Sequence, residues 1–182
     1  VPKRRKKKIA RQYHQSPGAL PSKLADKFDG KILVFSDASK KIHAGIAAIL
    51  FASNSCAPLV FSATTPMLGS NELELEAVLF ALRMAFFKFP DRNIALFSDN
   101  QDAVARLTNA QQHGIDSDPV LSNRFSELKI HGSLNQVSIN WIKSHAYCRG
   151  NTLADQFARD AANGSSSSPS AAKLGEFLQL RL

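Results

Sequence analysis

The feature that most constrains this chain is a repeat of three residues. Ile32–Phe35 (I-L-V-F) and Ile94–Phe97 (I-A-L-F) are short apolar runs of strand-forming residues, and each runs directly into Ser-Asp, at Ser36-Asp37 and Ser98-Asp99. Short apolar runs bounded by polar residues fit buried strands. If both strands lie in one sheet and point the same way, their ends bring two carboxylates side by side. Strand ends are where α/β sheets place ligand sites. Each acid alone also has an ordinary explanation. Asp37, in D-A-S-K, suits a turn, and Asp99, ahead of N-Q-D, suits a helix cap.

The rest of the pattern supplies such a sheet. After Ile32–Phe35, S-D-A-S-K-K reads as a turn, His43–Phe51 as a second strand and Leu59–Thr64 as a third, joined closely enough for an antiparallel meander. Asn71–Phe89 is long, free of proline and rich in Leu, Ala and Glu, so it predicts a helix buried on several sides and stopped at Pro90. Ile94–Phe97 is the fourth strand. Helices follow from D-N-Q-D-A-V-A-R-L and over residues 119–129, then a half-buried strand over Val137–Ile142. A last helix is expected over residues 152–163, with Asn151 as N-cap and Gly164 as stop. The order β-β-β-α-β-α-α-β-α predicts an α/β domain. Its five-stranded mixed sheet has three antiparallel strands and two parallel additions, flanked by about four helices. Order is expected from about Lys31 to Gly164. Residues 1–30 are expected as a basic, disordered arm and linker, since S-P-G-A-L-P-S-K breaks helix and strand, and residues 165–182 as a Ser-rich linker and tail.

Charge and cysteine content narrow the function classes. Seven of the 23 basic residues (Lys3, Arg4, Arg5, Lys6, Lys7, Lys8, Arg11) lie in the acid-free opening, leaving 16 basic against 15 acidic residues elsewhere. The basicity belongs to an arm suited to polyanions, and P-K-R-R-K-K-K also has the composition of a nuclear localisation signal. The expectation is therefore a nuclear protein, otherwise a cytoplasmic one. Cys56 and Cys148 form no C-x-x-C pair, which argues against a disulfide scaffold or a zinc module. No apolar run approaches the ~20 residues that cross a bilayer, so no membrane partner is expected.

Further acids stand at helix starts. E-L-E-L-E offers Glu72, Glu74 and Glu76. Residues two apart point to different sides of a helix, so only some can face the sheet. Asp155 lies within the apolar stripe of the last helix. Several carboxylates gathered together raise one another's pKa values unless a cation compensates. All-oxygen ligation favours Mg²⁺ or Mn²⁺, and a pair of such ions about 4 Å apart is a device for phosphodiester cleavage.

These residues resemble the type 1 ribonuclease H family. F-S-D-A-S followed by A-G-I-A-A-I-L-F is similar to its first hairpin, which usually opens Thr-Asp-Gly-Ser. N-E-L-E-L-E-A is similar to its Asn-x-x-Glu-Leu-x-Ala helix start, and F-S-D-N-Q to its Thr-Asp-Ser-Gln. W-I-K-S-H-A-Y-C-R-G-N-T-L-A-D is similar to its Trp-(Val/Ile)-Lys-(Gly/Ala)-His … Gly-Asn … Ala-Asp ending. The resemblance spans about Lys31 to Gly164. It implies metal ligation, and so catalysis, by Asp37, Glu74, Asp99 and Asp155 with two Mg²⁺ ions (Mn²⁺ in their place). It implies a proton-shuttling or product-releasing His145, and substrate contacts from Ser39, Asn71, Gln101 and Asn151, with the hybrid's minor groove read at Asn71 and Gln101. Ala38, Ser144 and Thr152 depart from the usual Gly, Gly or Ala, and Glu.

The activity implied is metal-dependent endonucleolytic hydrolysis of the RNA strand of RNA–DNA hybrids. No Trp- and Lys-rich insertion lies between Leu107 and Val137. With the Gly-Asn-x-x-Ala-Asp ending, this is most similar to RNase H domains of LINE-type retroelement polyproteins or a cellular descendant, which implies a reverse transcriptase domain as partner. The alternative is a catalytically silent module of the same fold, serving as an RNA-binding or scaffold subunit of a ribonucleoprotein. A nuclease of the same superfamily acting on DNA junctions is a third reading.

Overall fold

The computed structural model describes residues 18–143 and 148–164. Five strands form one sheet in the order β3-β2-β1-β4-β5: β1 (Ile32–Lys40), β2 (Ala44–Phe51), β3 (Leu59–Thr65), β4 (Ile94–Ser98) and β5 (Val137–Trp141). β1, β2 and β3 pair antiparallel; β4 adds parallel to β1, and β5 parallel to β4. The helices are α1 (Ser70–Lys88), α2 (Gln101–His113), α3 (Pro119–Glu127) and α4 (Arg149–Ala162), preceded by a single helical turn at Ser22–Ala25. Among the described residues no helix is long and apolar enough to cross a membrane.

Alternation along the strands sorts side chains to two faces. Ile32 and Val34, Ile94 and Leu96, Ile46 and Leu50 join the buried side of α1 with Leu107, Leu121 and Phe125 in one core. Leu33 and Phe35, Ala95 and Phe97, Ile49 and Phe51 join Ala154 and Cys148 in the other. α4 lies close to the sheet because Gly45 admits it. A Cβ there would stand 2.3 Å from the Ala158 carbonyl oxygen. α1 is buried along most of its circumference, as its composition predicted.

Within the first forty residues two boundaries differ from expectation. S-D-A-S-K is strand and not turn: β1 continues to Lys40, paired only with β2 once β4 has ended, so Asp37 sits within a strand. The second difference is at the N-terminal side, where order begins before Lys31. Ala19 and Leu20 are fully buried, and this strap is held by main-chain and side-chain bonds to Asn54 (Ala19 N–H to the carbonyl at 2.9 Å, Leu20 N–H to Oδ1 at 2.7 Å). Phe28, in the short 3₁₀ turn that follows, packs edge-on against Phe97. The Pro and Gly residues here do prevent long helix and strand. They do not prevent burial, because the strap's backbone groups find partners on the body.

Candidate active site

Phe35 and Phe97 are directly paired in the parallel ladder, and their rings stack with centroids 5.0 Å apart. Two residues further along each chain stand Asp37 and Asp99, so the two F-S-D triplets are in register. The small residue between is Ser36 in one and Ser98 in the other, both fully buried. Asp99 follows the end of β4 and is not the helix cap. Asn100 takes that role, with its Oδ1 accepting the Ala103 N–H at 2.8 Å.

The three acids at the start of α1 separate cleanly. Glu72 turns back to accept the Gly69 N–H at 3.3 Å, closing the helix start. Glu76 is gripped by both arms of the Arg124 guanidinium of α3, each at 2.7 Å. Glu74 faces the sheet. One carboxylate oxygen from each of Asp37, Glu74 and Asp99 lies within 4.8 Å of the other two.

This grouping is electrostatically costly without a cation. Asp37 is 5 % exposed. Burial, then the charges of Asp99 and Glu74, push its carboxyl up to about 8. The Ala38 N–H, bonded to Oδ1 at 2.9 Å, opposes that rise. Burial first and Asp99 second push Glu74 up to about 8 as well. The Oε2 of Glu74 is buried and has no hydrogen-bond partner among the described residues. An orphaned carboxylate oxygen in a cluster of acids fits a hard divalent cation coordinated by oxygen. No cationic side chain among the described residues enters the balance at Asp37 or Glu74.

The other expected site residues divide. Asp155 is outside the 4.8 Å group. Its Oδ2 pairs with the Arg159 guanidinium one turn on, at 2.6 Å, and its charge is the weakest of those acting to raise Asp37. Asn71 and Gln101 are exposed in the first turns of α1 and α2, and Ser39 is half-buried two residues beyond Asp37 on the same strand. Asn151 requires correction as an N-cap: α4 begins one turn earlier, with Cys148 as N-cap, and Asn151 is 5 % exposed inside that first turn. Gly150 is fixed for steric reasons, since a Cβ there would meet the Phe35 ring at 2.3 Å. His145 lies outside the described residues, as do the basic arm and the C-terminal tail.

Two contributions were not foreseen. Ala19 contributes its carbonyl, which accepts the Gly150 N–H and the Cys148 thiol, each at 3.1 Å. It thereby caps a helix whose own N-cap side chain makes no capping bond. Trp141 donates its indole N–H to the Asp99 carbonyl at 3.1 Å. No local pattern signals either, because the partners are 129 and 42 residues apart.

The RNase H family model matches residues 29–163. Among solved structures, the RNase H1 of the halophilic archaeon Halobacterium salinarum is similar, with 23 % identity and a TM-score of 0.54 over 74 % of this chain and 99 % of that one. LC11-RNase H1, solved with an RNA/DNA hybrid, is 21 % identical with a TM-score of 0.53, covering 75 % of this chain and all of that one. The foamy viral protease–reverse transcriptase, solved with double-stranded DNA, is 13 % identical with a TM-score of 0.57, covering 75 % of this chain and 97 % of that one. No curated protein matches this chain. At these identities the structural neighbours speak for the fold, and the family model, matching 29–163 with the three acids inside it, shows that this chain belongs to the RNase H family.

Proposed function

We propose that the chain is a ribonuclease H that hydrolyses the RNA strand of RNA–DNA hybrids with divalent ions held by Asp37, Glu74 and Asp99. The observation that carries this is the convergence of those three carboxylates, with the buried Oε2 of Glu74 unpartnered among the described residues. Two Mg²⁺ ions bound there supply the charge that activates a water and steadies the leaving oxygen. The protein's part is to hold the acids ready. β1 and β4 fix Asp37 and Asp99 at one level of the sheet, and α1 brings Glu74 to them.

Asp155 completes the set in this reading. Its pair with Arg159 is half-exposed, and such pairs are worth at most about 1 kcal/mol. Asp155 would therefore give up that pair at small cost to join Asp37, Glu74 and Asp99 in holding a divalent ion. His145, ten residues before Asp155, takes the role of moving a proton at the leaving group. Asn71, Gln101 and Ser39 offer polar side chains to the hybrid's minor groove, where the 2′-hydroxyl marks the RNA strand. LC11-RNase H1, a structural neighbour, was solved with such a hybrid. A retroelement setting, with a reverse transcriptase domain in the same polyprotein, is supported by the Gly-Asn-x-x-Ala-Asp ending and by the fold's recurrence in a viral reverse transcriptase structure.

A substrate panel tests the reading. With Mg²⁺ the chain should cut the RNA strand of a hybrid, leaving 3′-hydroxyl and 5′-phosphate ends, and spare duplex DNA and duplex RNA. Equal cutting of DNA junctions would move the assignment elsewhere in the superfamily.

A further inference from the structure

Asp99 stands outside the regular elements that carry the other two converging acids. Asp37 lies within β1, with ladder partners on the β2 side, and Glu74 lies within a 19-residue helix. Asp99 belongs to neither kind of element. β4 ends at Ser98 and α2 begins at Gln101, so Asp99 and Asn100 form a two-residue bridge between them. In such a bridge the peptide planes on either side of an acid decide where its Cα–Cβ bond points.

The structure ties this bridge down at successive atoms. The Ser98 carbonyl accepts the Ile142 N–H at 2.9 Å, continuing the line of β5. Ser98 Oγ accepts the Asn100 N–H at 3.2 Å, and the Asn100 side chain is bound to α2. At the Asp99 carbonyl, the indole N–H of Trp141 donates at 3.1 Å. Trp141 is level with Ser98 in the β4–β5 ladder, so it reaches one residue beyond the end of the strand beside it. Trp141 as a whole is 46 % exposed. An aromatic side chain there adds little to the core, and its polar tip is the part with a defined partner.

We propose that Trp141 is a positioning residue for the metal site. Its indole N–H sets the peptide plane of Asp99, and so the direction from which the Asp99 carboxylate meets those of Asp37 and Glu74. This rests on the reading of the three acids as metal ligands, and it adds a residue that touches neither metal nor substrate.

Trp141→Phe keeps a ring and removes the donor. Calorimetric titration of the full chain with Mn²⁺ or Mg²⁺ should show the half-saturating concentration rising roughly three- to tenfold, the effect of one hydrogen bond. Cleavage at saturating metal should return to within about twofold of the parent, with the KM for hybrid unchanged. Unchanged metal affinity with a lowered Tm would make Trp141 merely structural. A raised hybrid KM with unchanged metal affinity would make it a substrate contact; either result overturns the proposal. Trp141 is also the chain's single tryptophan, so parent fluorescence provides a test that needs no Trp141 variant. Its emission should change along the same metal isotherm and stop responding in Asp99→Asn; a flat response in the parent, with metal binding seen by calorimetry, contradicts the assignment. A parent that binds no divalent ion fails the reading of the acids themselves, and the proposal with it.

Discussion

At the residue scale, the acids carry opposing consequences for stability and function. Asp37 and Glu74 are pushed up to about 8, well above their unfolded values near 4. Between those limits the folded protein holds protons that the unfolded chain has released. The metal-free fold should therefore lose stability steadily as pH rises from about 4 to about 8, as these two groups are forced to ionise. Thermal unfolding at pH 5 and pH 8 in a chelator checks this, and added Mg²⁺ should recover much of the loss at pH 8. Metal binding should tighten over the same pH range and release protons, which calorimetry in buffers of different ionisation heat reads directly. Asp37→Asn should raise the metal-free Tm at pH 8 while lowering cleavage by on the order of 10³-fold or more, since it removes a buried charge and a ligand together. Asp37 and Asp99 were legible because F-S-D occurs twice and strand register is rigid. Charge and helical spacing alone did not separate Glu74 from Glu72 and Glu76; the resemblance to the Asn-x-x-Glu-Leu-x-Ala helix start did, and the structure agrees. What distinguishes them is an Arg 48 positions away and a turn of backbone at Gly69, both tertiary facts.

At the element scale, the strap is the feature that a boundary at Lys31 would cut away. It covers part of the α4 face of the sheet and lies outside the family match, which begins at residue 29. Leu20→Ala should cost about 2–4 kcal/mol, as for a fully buried leucine, and Asn54→Ala about 1 kcal/mol for the lost bond to the Leu20 N–H. Chemical denaturation of the full chain measures both, and near-zero values would mean the strap is not part of the cooperative fold. Strand and helix identities followed from periodicity, and each helix could be placed within a turn. Three boundaries did not follow, for a shared reason: β1 runs past Asp37 because β2 pairs with it, the fold begins before Lys31 because Asn54 holds the strap, and α4 starts early because Ala19 caps it. Local signals say where a helix can begin; a distant carbonyl decided where this one does.

At the scale of the whole molecule, charge and chemistry are separated along the chain. The acidic cluster lies in a chain whose residues after the first eleven hold 16 basic and 15 acidic side chains, and the excess positive charge lies in those opening eleven residues. Replacing the seven basic residues there with Gln should raise the KM for hybrid at low salt and flatten its salt dependence, with kcat unchanged, if the arm holds phosphates. The mixed sheet was predictable from element order, because parallel strands joined through helices have few permitted arrangements. What element order could not predict was the closeness of the three carboxylates, which depends on β1 and β4 being neighbours in register. That closeness is the central claim, and Asp99→Asn tests it most directly in a hybrid-cleavage assay with Mg²⁺, alongside its circular dichroism. The predicted result is loss of RNA-strand cleavage with an unchanged spectrum; cleavage at the parent rate would contradict the assignment of this site.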